Sequence, residues 1–151
     1  MSLARFNEQW TSPAYPPDRV MEPDLRLVEE RFGLRLPDDY RQAILIVGLP
    51  RPTIALLNTV VERRLDLHAV GDFYSPAEMI EQTLGWRKAG MPEHLIAFAC
   101  DDLGNQFCFD SERLRSATAD NASVWFFDHD FNTVDLIASS FTDWISEFCD
   151  I

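Results

Sequence analysis

Leu95-Ile96-Ala97-Phe98-Ala99-Cys100-Asp101-Asp102-Leu103-Gly104-Asn105-Gln106-Phe107-Cys108-Phe109-Asp110 is the stretch whose reading decides the fold. Two short apolar runs flank a polar turn. Strands this close in sequence pair antiparallel, because a parallel pair needs a crossover of a dozen or more residues. Gly104-Asn105 supplies the positive φ that a tight hairpin requires. With an even-length turn, Ile96, Phe98 and Cys100 share a face with Phe107 and Phe109, and Ala97, Ala99 and Cys108 take the other. This register sends Cys100 and Cys108 to opposite sides, as packing residues and neither a disulfide nor a metal pair.

Downstream, the same alternation predicts strands over 123–128 and 133–137, beside 95–101 and 105–110, with Ser111 to Ala122 as the longest linker. Phe141, Trp144, Ile145 and Phe148 then recur at helical spacing behind Ser139-Ser140. Upstream, Ser75-Pro76-Ala77-Glu78 is a capping box with proline at the first helical position, and it opens a helix that runs to about Lys88. Leu25, Val28 and Phe32 mark a helix between Pro23 and Gly33, and Tyr40, Ala43, Ile44 and Val47 mark another after Pro37-Asp38-Asp39. Between these, Thr53 to Asn58 and Leu65 to Val70 read as two further strands. Residues 1–21, with Pro13, Pro16 and Pro17 around Trp10 and Tyr15, read as an extended arm. The expected class is therefore α+β: a single domain over 22–151, its largely antiparallel sheet of about six strands packed with about four helices.

A chain of 151 residues with eleven Phe and four Trp fills one core without a metal or disulfide staple. The three cysteines lack any paired spacing, which suits a reducing, cytoplasmic setting. No leader or membrane span is expected. The net charge of −12 repels phosphate backbones and anionic lipid, so neither nucleic acid nor membrane is an expected partner, whereas a basic protein is attracted.

Asp101 and Asp102 stand together with no basic neighbour in sequence, either as turn formers or as an acidic contact with a partner. Asp128-His129-Asp130 begins like a calcium loop, but Thr133 stands where glycine is required and Ser139 where the bidentate glutamate belongs. His68, His94 and His129 are scattered, and no nucleophile elbow, phosphate loop or dinucleotide fingerprint occurs. No catalytic residue, metal or cofactor is expected. Trp125 lies in a strand apolar on both faces. Where one face is uncovered it becomes an anchor for a partner, rimmed by Asp101, Asp102 and Asp128.

Glu29 followed by Gly33 and Leu36-Pro37-Asp38-Asp39-Tyr40, then Met91-Pro92 with Leu95-Ile96, the Asp-x-x-Gly-Asn-x-Phe turn from Asp101 to Phe107, and Val124-Trp125-Phe126-Phe127-Asp128-His129-Asp130 before a terminal amphipathic helix together resemble the SUKH superfamily over about residues 22–150. The chain departs from that pattern at Val47-Gly48-Leu49, where members often carry an Asn-Gly-Gly-like turn. The resemblance implies a non-enzymatic binding module, in the leading reading an immunity protein that holds a cognate basic toxin, such as a nuclease, by direct contact, as a monomer or weak homodimer. Asp101, Asp102, Asn105, Trp125, Asp128, His129 and Asp130 are the expected contact residues. Two other readings are a regulatory scaffold whose extended arm takes part in binding host proteins, and a hydrolase using the carboxylates with His129.

Overall fold

The computed structural model describes residues 2–116 and 121–151, so part of the expected linker at Ser111–Ala122 lies outside the described residues. In chain order these residues form α1 (Ser2–Trp10), α2 (Glu22–Phe32), α3 (Asp38–Val47), α4 (Ile54–Glu62), β1 (Asp72–Phe73), α5 (Pro76–Lys88), β2 (Leu95–Cys100), β3 (Gln106–Asp110), α6 (Ser111–Leu114), β4 (Val124–Asp128), β5 (Thr133–Ala138) and α7 (Phe141–Cys149). The strands form one antiparallel sheet in the order β1-β2-β3-β4-β5. The class is α+β, as the hairpin stretch predicts, with five strands and seven helices among the described residues in place of about six and about four.

Local chemistry sets most boundaries. In α5 the Ser75 hydroxyl accepts the Glu78 amide at 3.2 Å, and Glu78 returns the bond from the Ser75 amide at 3.0 Å. α2 ends at Gly33, left-handed at φ 64°. α7 opens with Ser140 accepting the Asp143 amide at 3.1 Å, and its Phe141, Trp144, Ile145 and Phe148 are all buried.

Three expectations are corrected. The first is the extended arm. Residues Ser2–Trp10 are a helix whose Leu3, Phe6 and Trp10 are buried at i, i+3 and i+7, and the prolines begin only after it ends. The Trp10 indole donates to the Phe148 carbonyl at 2.9 Å, and Phe6 packs edge-on against Phe73 and Phe148. The segment that follows is pinned by mutual backbone bonds between Asp18 and Leu49 of 3.0 and 2.8 Å. This close approach also accounts for Gly48, at φ 93°, where an added Cβ would stand 2.6 Å from the Asp18 carbonyl oxygen.

The second concerns the two strands expected over Thr53–Asn58 and Leu65–Val70. The first of these is α4, capped by Thr53, and it buries Leu56 and Val60 four residues apart. The second forms no ladder, and only Asp72–Phe73 pairs, as β1. β-branched residues misled here because burial on one helical face outweighs strand propensity.

The third is the register of the deciding hairpin. Cys100 pairs with Gln106 across a five-residue turn, and a bulge at Phe98 restores the phase beyond it, with Ile96 opposite Phe109. Phe98 therefore stays with Phe107 and Phe109. Its ring stacks on Phe109 at 4.1 Å, and both Phe98 and Phe107 meet Trp144 of α7. Cys100 instead shares the Gln106 and Cys108 side, so the two cysteines do not point to opposite faces; both are free thiols.

Candidate functional site

Glu29, Gly33 and the Leu36–Tyr40 run serve the fold. The Glu29 carboxylate accepts the Leu36 amide at 2.7 Å and the Arg41 Nε at 3.1 Å, and Arg41 also pairs with Glu22. This arrangement bolts α2 to α3 around a buried guanidinium. The paired carboxylates raise the Arg41 pKa, and the bond to Arg41 lowers that of Glu22. Asp39 reaches the start of α7, accepting from the Thr142 amide at 3.0 Å and its hydroxyl at 3.2 Å. Tyr40 is buried edge-on to Phe98, Phe109 and Phe141, and burial raises its pKa.

The expected contact residues divide into three groups. Asp101 accepts from the amides of Leu103 and Asn105, both at 2.9 Å, and from the Asn105 side chain at 3.0 Å. Asn105, buried, accepts in turn from the His129 amide at 3.2 Å. The His129 Nε2 lies 2.8 Å from the Leu103 carbonyl, and its ring is tilted against Trp86 with centroids 5.1 Å apart. Below the turn, Tyr74 donates to Gln106 at 2.7 Å and Gln106 to the Gly104 carbonyl at 2.8 Å. Asp128 accepts the amides of Asp130 and Phe131 at 2.9 and 3.2 Å. These bonds zip the β2–β3 turn to the β4–β5 turn, and they use Asp101, Asn105, Asp128 and His129 internally.

Asp102 and Asp130 remain exposed at the same end of the sheet. Trp125 does not join them. It stands at the other end of β4, about 10 Å away at the strand rise, half-buried beside Asp110, Arg113 and Ser139. The sequence reading missed Leu103 and Phe131, which crown the two zipped turns with 75% and 79% of their surface exposed. The signal was present, since each is a large apolar residue between polar turn formers, Asp102-Leu103-Gly104 and Asp130-Phe131-Asn132.

Burial raises the pKa of all three thiols, Cys100, Cys108 and Cys149, which opposes nucleophilic use. Among the described residues, no group of three or more His, Cys, Asp or Glu gathers as metal ligands, and no helix is long and apolar enough to cross a membrane.

The model of the SMI1 / KNR4 family (SUKH-1) matches residues 20–147 of the chain. No curated protein matches the chain significantly.

Proposed function

The chain belongs to the SMI1 / KNR4 family (SUKH-1), and from that premise we propose that it is a non-enzymatic protein-binding module whose partner is a basic protein, in the leading case a toxin that it neutralises. The observation that carries this reading is the pair of zipped turns. They hold two exposed apolar side chains, Leu103 and Phe131, among Asp102, Asp128 and Asp130. An apolar centre with a charged rim is the composition of a protein-docking patch, and internal bonding of the turns lowers the entropy lost on binding. The net charge of −12 adds long-range attraction for a basic surface.

Two other readings are less well supported. For a regulatory scaffold in which the N-terminal segment takes part, the burial of Leu3, Phe6 and Trp10 takes that face of α1 out of the contact, whereas Tyr15 stays exposed. A hydrolase built on Asp128 and His129 needs free groups, whereas Asp128 holds two amides and the His129 Nε2 meets a carbonyl.

The test is to recover what binds the tagged protein from its own cells and to ask whether co-expression rescues growth from that partner. Leu103→Asp and Phe131→Asp, both at exposed positions, should abolish recovery while leaving the melting temperature unchanged. Full recovery by the double variant would remove the turns as the contact.

A further inference from the structure

The two margins of the sheet are finished differently. β1 is two residues long, so most of the outer margin of β2 needs other partners, and it has them. Gly71 and Tyr74 donate to the carbonyls of Cys100 and Phe98 at 2.8 and 3.0 Å. Beyond them α5 lies along the margin, where the Thr83 hydroxyl accepts the Ala97 amide at 3.0 Å and Arg87 donates to the Leu95 carbonyl at 3.2 Å. A helix thus closes the margin that a longer strand would have closed.

At the opposite margin β5 pairs with β4 alone, and among the described residues no backbone or side-chain group bonds its outer side. The strand carries neither proline nor lysine, which commonly blunt an edge. Its register shift falls at Ile137, so Thr133 to Leu136 form a regular run. Thr133, Asp135 and Leu136 are exposed.

We infer that the outer margin of β5 from Thr133 to Leu136 is a docking edge that takes an extended basic segment of a partner protein as a sixth strand. The inference rests on the reading of the protein as a binding module and specifies how part of the partner is held. Charge selects the occupant. Asp135 is the only charged residue on the strand, and Ile137 lines a hollow of about 250 Å³ together with Asp66, His68 and Glu147. Glu147 has no cationic partner among the described residues, and burial together with Asp143 raises its pKa. A second copy of the chain is the wrong occupant, because it would bring the same Asp135 and the same charge of −12 to the edge. The pleat then specifies the incoming strand. Side chains on the Val134 and Leu136 face are apolar, and those beside Asp135, toward the hollow, are Lys or Arg.

The probes are three synthetic peptides of about ten residues, long enough to cover a strand. The first alternates Val with Lys, the second Val with Glu, and the third is the first with prolines on alternate positions. The readout is amide hydrogen exchange of the full chain. At about ten times its Kd, the Val-Lys peptide should slow exchange of the outward amides in 133–136 about tenfold, while the other two leave them unchanged. Asp135→Lys should remove the protection without altering the spectrum elsewhere. Equal protection by the Val-Glu peptide, no protection by any peptide, or protection that grows with protein concentration alone, as a second copy would give, would each overturn the inference. Loss of the natural partner in the Leu103 and Phe131 variants while the peptide still protects β5 is the pattern for the turns. Failure of the peptide with partner recovery intact strikes only the edge.

Discussion

Arg41 is 9% exposed at its side chain and sits between Glu29, at 13%, and the more open Glu22. Arg41→Met takes the cation from the largely buried Glu29 carboxyl, and should cost about 3–5 kcal/mol in denaturant unfolding. Most of that should return in the Arg41→Met, Glu29→Leu double variant. Glu22 gives the pH dependence. Its pKa is lowered by folding, so its contribution is complete above the ordinary value of 4.5 and fades as acid carries the pH through the lowered value. Glu22→Gln should flatten that acid limb of stability. Asp101 and Asp102 are neighbours with opposite roles. Asp101→Ala should cost about 1–2 kcal/mol through the turn amides it leaves unbonded, and Asp102→Ala should stay within about 0.5 kcal/mol. The sequence could name both residues as turn formers or contacts, but not which did which, because that depends on Asn105 and His129 meeting across two turns.

At the scale of elements, the short connections after residue 95 made the meander legible, and the capping box at Ser75 made the start of α5 legible to the residue. α4 was not legible, since Ile54, Thr59 and Val60 suit a strand as well as a helix and only the burial of Leu56 and Val60 chooses between them. The bulge at Phe98 was hidden for a similar reason, because beside it the Ala97 amide on the outer margin of β2 is satisfied by Thr83 from another element. Thr83→Val keeps the shape and removes that acceptor. It should cost about 1–3 kcal/mol and speed exchange at Ala97. Phe6 is fully buried between the sheet and α7, so Phe6→Ala should lose about 3–5 kcal/mol in thermal or denaturant unfolding.

Across the whole molecule, the excess of acidic residues sets the response to salt. If a basic partner is steered by it, association should slow about tenfold or more between low and high ionic strength, while dissociation changes little, as stopped-flow mixing would record. A flat on-rate would remove steering. The family match begins at residue 20, after α1, yet α1 fills the core beside α7. No local pattern could announce that contact, because Trp10 and its acceptor at Phe148 are 138 residues apart. The same bond orders events in time. At ribosomal rates of about 5–20 residues per second, roughly 7–28 s pass between the synthesis of Trp10 and that of Phe148. α1 thus waits for α7, and through that interval the nascent chain carries Leu3, Phe6 and Trp10 without the helix that packs beside them, an apolar stripe open to chaperones.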